Sequence, residues 1–268
     1  MAIKQTQRPR VSGLLPTPTR HKRMKLGLIV LAALAVIGTG AFLLNSIRYQ
    51  GALVVAVDPG HGGTDPGAAG SGLDEYQVTW QTAQYLMELL KEDKRFKPIL
   101  TITKKESQNS QSSRITPSQR AQRAREKGAG LFVSIHCNSD GTGEAYGFEC
   151  YPVPPGRTHH QQSMLLAQSI ADAFGQQGAR LRGTQGLRYV YYNQQDEKRF
   201  VEIQDDTVQT DLSFTVLEES GCPAVLAEQC FITNTQDAQR FASQEGCQQA
   251  AQLYYQGICA WYEQAGLG

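Results

Sequence analysis

The segment Val54–Glu75, VVAVDPGHGGTDPGAAGSGLDE, constrains this chain more than any other. It continues an apolar run, Leu53–Val57, that reads as a strand buried on both faces of a parallel sheet. Asp58-Pro59-Gly60 ends the run, and a glycine-rich loop holding His61 follows. Glu75 opens a helical pattern, in which Val78, Ala83, Leu86, Leu89 and Leu90 supply an apolar face over Tyr76–Asp93. Strand, glycine loop and helix in that order begin an α/β sheet. They direct His61 and Glu75 to its carboxyl edge, where open α/β folds place their sites.

The remaining chain continues the alternation. Pro98–Thr103 reads as a strand, Lys104–Ser113 as a polar loop, and Thr116-Pro117 as the start of a basic helix carrying Arg120, Arg123 and Arg125. Leu131–His136 is a third buried strand, and Tyr146–Tyr151 a more alternating one. A helix near Gln162–Phe174 follows. Arg180–Gln209 is ambiguous: Leu187–Tyr192 admits a strand, whereas Gln194–Gln209 is very polar. Phe214–Leu217 and Ala224–Glu228 read as strands, and helices near Gln236–Ser243 and Glu245–Tyr262 close the chain. The expected fold is a single α/β domain over 53–265, with a central, mostly parallel sheet flanked by helices.

The N-terminal region has another character. Residues 1–25 carry seven Lys and Arg and no acid, and residues 26–44 carry no charge. As a helix at about 1.5 Å per residue, the apolar stretch would be roughly 28 Å long, close to the hydrocarbon core of a bilayer. The expected organisation is a basic cytoplasmic tail (1–25), a transmembrane helix (26–44), a linker (45–52) and a domain outside the cell membrane. The competing reading is a cleaved signal peptide, with Thr39-Gly40-Ala41 as a small-residue cleavage site. The formal net charge of +1 gives no reason to expect nucleic acid. Six cysteines fall in the exported part, where disulfides are permitted. None has CxxC spacing, and small buried thiols are the simpler reading.

His61, Glu75 and His136, each beside a predicted strand end or helix start, form a candidate ligand set. Two imidazoles and a carboxylate leave one tetrahedral position of Zn2+ for water, whose pKa falls towards about 7. Such a hydrolase needs a base, and Glu228 follows the apolar run Ala224–Ala227. Each residue also has an ordinary structural reading: polar loop, helix-dipole acid or paired carboxylate.

Several motifs in order resemble the zinc-dependent N-acetylmuramoyl-L-alanine amidases of the amidase-3 family over about residues 53–262. They are VDPGHGGTDPGA, LDE before a helix, Arg120 ahead of LFVSIHCNSD, YGFECY, and PAVLAEQCFITNTQDAQRF. The resemblance implies that His61, Glu75 and His136 bind zinc, and that Glu228 is the catalytic acid/base. It implies hydrolysis of the amide between N-acetylmuramic acid and L-alanine in peptidoglycan. A zinc peptidase or amidase acting on soluble muropeptides and a catalytically inactive wall-binding protein stand as alternatives, and a protein activator is left open. Two departures stand out. Cys230 replaces the glycine usual in that motif, and the i, i+2 rule puts it on the Glu228 face near the metal; Cys137 points the other way. Gly183–Gln209 is longer than a simple connection, and reads either as a surface loop or as a regulatory insertion.

Overall fold

A computed structural model describes residues 51–267 of the chain. The expected basic tail, transmembrane helix and nearly all of the linker lie outside the described residues. Among those described, no helix is long and apolar enough to cross a membrane.

The chain begins with β1 (Leu53–Pro59), followed by a small antiparallel pair, β2 (Ala69–Gly70) and β3 (Leu73–Asp74). Next come α1 (Glu75–Glu92), β4 (Phe96–Leu100), α2 (Lys104–Gln108), α3 (Pro117–Glu126) and β5 (Leu131–Asn138). Then follow β6 (Glu149–Pro152), α4 (His160–Gln176), the hairpin of β7 (Arg188–Tyr192) and β8 (Lys198–Glu202), and α5 (Thr215–Glu219). The chain ends in β9 (Ala224–Phe231), α6 (Thr235–Phe241) and α7 (Gln244–Gln264). The central sheet has the order β4-β1-β5-β9-β6. Its first four strands are parallel and β6 runs antiparallel to β9, so the α/β architecture with a mostly parallel sheet is observed.

Burial on both sheet faces explains the continuous apolar strands. Val55, Val57, Val133, Ile135, Val225 and Ala227 face α1, α4 and α7 in the larger core. Ala56, Phe132, Ala224 and Leu226 face the smaller one, which Ala124 of α3 and Val216 and Leu217 of α5 complete.

Some local expectations are corrected. Phe214–Leu217 is not a strand: Thr215–Glu219 is a helical turn that buries Val216 and Leu217, and a four-residue apolar run has no periodicity to separate the two. The polar loop contains α2, whose Thr103 and Glu106 form a capping box, a readable signal that was missed. The second strand runs Phe96–Leu100, and its Pro98 is tolerated because β4 is an edge strand. The ambiguous stretch after Arg180 contains the β7–β8 hairpin.

Candidate metal centre and active site

The site lies where β1, β5 and β9 approach their carboxyl ends. Pro59 pairs with Ile135, and His136 pairs with Glu228. His136 and Glu228 sit inside their strands rather than at the ends, because β5 continues to Asn138 and β9 to Phe231. His61 lies two residues beyond the end of β1, and Glu75 is the first residue of α1.

His61 occupies the left-handed region (φ 63°), which costs a non-glycine residue about 1–2 kcal/mol. Its peptide is held from below. Arg120, on α3, gives one guanidinium nitrogen to the His61 carbonyl and another to the Pro59 carbonyl and to Asp58 Oδ1. Asp58 and Arg120 are both buried, and Asp58 also accepts from Ser134 and Thr101. Gly60 has no side chain for a steric reason: a Cβ there would lie 2.4 Å from the His136 ring.

The ligand atoms of His61, Glu75 and His136 all lie within 4.8 Å of one another. Glu75 Oε1 is 3.1 Å from His61 Nε2 and 3.0 Å from His136 Nδ1, and it accepts the Cys137 amide at 2.9 Å. Glu75 Oε2 accepts the Ala68 amide. Asp65 Oδ1 sits 3.0 Å from His61 Nδ1, which leaves Nε2 as the nitrogen facing Glu75. Carboxylates that fix a metal-binding imidazole by its other nitrogen are a recurrent outer-shell device. Sequence reasoning quoted Asp65 within a motif but gave it no role; its spacing of four from His61 was the available signal.

Burial disfavours charge at His61 and at Glu75, and pairing overrides it. For His61, burial acts downward, yet the hydrogen bonds and charges of Glu75 and Asp65 carry its pKa up to about 9. For Glu75, burial acts upward, yet the two imidazoles hold it well below the usual carboxylate range. Two imidazoles and a buried carboxylate, converging on one point, match the nitrogen and oxygen donors that zinc takes.

Glu228 is 8 % exposed and borders the same cleft, a concavity of about 1190 Å³. Burial pushes its carboxyl up to about 7. The positive charges of His136 and Lys198 pull it back, while Glu75 and Glu149 push in the same direction as burial. Its Oε2 is buried with no hydrogen-bond partner among the described residues.

Cys230 does not line this cleft. It is fully buried, with its Sγ 3.9 Å from Cys137 Sγ on the core side of the sheet. The pairing shifts between His136–Glu228 and Asn138–Phe231, so Gln229 and Cys230 together oppose Cys137. This β-bulge breaks the alternation on which the expectation rested. Cys137 packs its thiol into the larger core beside Cys230, whereas His136 turns its ring to Glu75.

Fold and site together define a class: an α/β protein with three donors that could hold a metal ion and a separate buried carboxylate in one cleft. More narrowly, residues 55–260 match the N-acetylmuramoyl-L-alanine amidase family (Amidase_3), and the chain belongs to that family. It is 33% identical over 210 residues to the Bacillus subtilis protein YqiI, covering 78% of this chain and 85% of that one. It is 30% identical over 209 residues to the N-acetylmuramoyl-L-alanine amidase CwlM of Bacillus licheniformis, covering 76% of this chain and 66% of CwlM. The crystal structure of an N-acetylmuramoyl-L-alanine amidase from Clostridium difficile superposes with a TM-score of 0.62 at 25% identity, over 80% of this chain and 98% of that one.

Proposed function

We propose that this chain is a peptidoglycan hydrolase that cleaves the amide joining N-acetylmuramic acid to L-alanine of the stem peptide. His61, Glu75 and His136 would hold zinc, and Glu228 would be the acid/base. Family membership supports the reaction. The observation that carries the mechanism is the Glu228 carboxylate, buried, unpartnered at Oε2 and in one cleft with the three donors.

When bound, zinc supplies a Lewis acid for the lactyl carbonyl and lowers the pKa of water. This chain's residues do the rest. Asp65 and the Ala68 amide fix His61 and Glu75 through their outer atoms, the Cys137 amide holds the inner Glu75 oxygen, and Arg120 holds the loop that presents His61. Glu228 takes a proton from the attacking water. As the carbon–nitrogen bond breaks, it returns that proton to the leaving L-alanine nitrogen, and the oxygen stays on the muramoyl carboxyl. A carboxyl pushed towards 7 is suited to both transfers near neutral pH.

Purified sacculi incubated with the zinc-loaded protein and examined by mass spectrometry test this. The expected products are peptide-free glycan strands bearing lactyl carboxylates, and stem peptides with a free L-alanine amine. Products cut within the glycan or the cross-links would refute it. We also propose that residues 26–44 tether the domain outside the cell membrane, a reading supported by the charge-free stretch and its basic flank. Protease added to intact cells with the wall opened should digest the chain beyond about residue 50. A mature chain beginning near Phe42 would instead establish the signal peptide.

A further inference from the structure

The β7–β8 hairpin and the segment behind it form one wall of the cleft, with Tyr192, Lys198, Leu212 and Phe214 among the lining residues. The hairpin is fixed in place. Tyr192 pairs in register with Lys198, its amide bonds to the Leu212 carbonyl, and Asn193 closes the turn onto the amides of Gln195 and Glu197. At its base Arg188 reaches the buried Glu149, which also takes a hydrogen bond from Arg182.

Lys198 is exposed on this wall, and its ammonium stands among aromatic rings. Nζ is 5.0 Å from the centre of Phe214, 5.3 Å from Phe200 and 5.8 Å from Tyr151. Such rings hold a cation without neutralising it. The other lysine and arginine side chains lining the cleft are committed: Arg114 to Asp65 at 3.5 Å, and Arg120 to Asp58 at 3.0 Å. Among the described residues, Lys198 has no carboxylate within ion-pair distance. Its charge nonetheless reaches the reaction centre, being one of those that act on Glu228.

An unneutralised, pre-positioned cation in the cleft that Glu228 also lines is suited to recognise an anion on the substrate. On the reading that this is a muramoyl-alanine amidase, the substrate's own chemistry identifies that anion. The muramoyl carboxyl is consumed in the scissile amide, and the sugars are neutral. Ionised groups therefore occur only on the stem peptide. We propose that Lys198 is a specificity-determining residue that binds the stem-peptide carboxylate nearest the scissile amide, and that it discriminates against stems in which that carboxylate is a carboxamide. The hairpin wall thereby faces the peptide side of the substrate. This goes beyond the choice left by the sequence between surface loop and regulatory insertion, because it makes the hairpin part of the substrate site.

The test compares two muropeptides that differ only in carboxylate against carboxamide at the second stem residue. kcat/KM is measured with the zinc-loaded wild type and with Lys198→Met, Lys198→Arg and Lys198→Glu. A charge-assisted contact predicts a wild-type preference for the carboxylate on the order of tenfold. Lys198→Met should collapse the ratio towards one, Lys198→Arg should keep it, and Lys198→Glu should invert it. A purely structural cation–π role would change both substrates alike and leave the ratio intact. A wild-type ratio near one, or an unchanged ratio in Lys198→Met, overturns the inference while the amidase reading stands. The same forms are run on purified sacculi: cleavage of sacculi but of neither muropeptide overturns this inference while the amidase reading stands, and cleavage of none of these substrates overturns both.

Discussion

Glu228→Gln should expose the energetic cost of keeping an unpaired carboxylate in the cleft. In the metal-free protein the Glu228 pKa is about 7, raised by burial from its ordinary 4.5. A raised carboxyl pKa means that the folded state prefers the neutral form. The group therefore imposes no penalty below its unfolded pKa and an increasing penalty as pH rises through the folded one. The rise from 4.5 to about 7 corresponds to roughly 3 kcal/mol, of which about 2–3 kcal/mol develops between pH 5 and pH 8. Gln is nearly isosteric with the protonated acid and does not titrate, so any fixed cost of burying its amide is the same at every pH. Urea unfolding of both metal-free proteins at several pH values reads the difference directly. The stability of Glu228→Gln relative to wild type should climb by about 2–3 kcal/mol over that interval and level off above it. The zinc-loaded variant should lose about 10²–10⁴-fold in kcat with zinc still bound. A relative stability that stays flat from pH 5 to pH 8 would refute the claim that this carboxylate is destabilised by burial. Near-normal turnover with zinc bound would remove Glu228 from the mechanism.

Four further outcomes follow from the geometry. Asp65→Ala should weaken zinc binding by about 10–100-fold, as expected for an outer-shell carboxylate, with little change in the fold; unchanged affinity by competition titration would dismiss its orienting role. Arg120→Ala leaves Asp58 buried and short of its cation, and should destabilise the protein by about 3–5 kcal/mol in chemical denaturation. Because His61 has a pKa of about 9 without metal, zinc uptake at pH 7 should release about one proton at that residue, and affinity should fall as pH is lowered; calorimetry in buffers of different ionisation enthalpy measures this. Thiol reagents on the native protein should label Cys259, the one cysteine of six that is not buried, and should leave activity intact; inhibition reversed by Cys230→Gly would contradict the placement of Cys230.

What could be read from the sequence was what burial and turn chemistry impose. β1, β5 and β9 are covered on both faces, so they appear as unbroken apolar runs, and each run points to the residue that follows it towards the cleft. His61, His136 and Glu228 were accessible for that reason, and Glu75 because a helix start beside a glycine loop has few other places to lie. Cys230 was not accessible, since alternation within a strand says nothing about a bulge, and this bulge is set by how β9 pairs with a strand more than ninety residues away. The hairpin wall escaped for a related reason. Its outer strand, Lys198–Glu202, is polar and lies outside the central sheet, so no buried face imposes a pattern on it. Its position comes instead from long-range pairs, such as Arg188 with Glu149 and Tyr192 with Leu212, that no local window contains. The distinction has a functional side. The residues proposed for the chemistry lie on or beside strands whose burial fixes them, whereas the residue proposed for specificity lies on a strand that pairs with β7 outside the central sheet. Exchanging that wall among relatives should therefore alter which stem is cut while leaving the donor triad and Glu228 in register, since none of the strand pairs that align them involves β7 or β8.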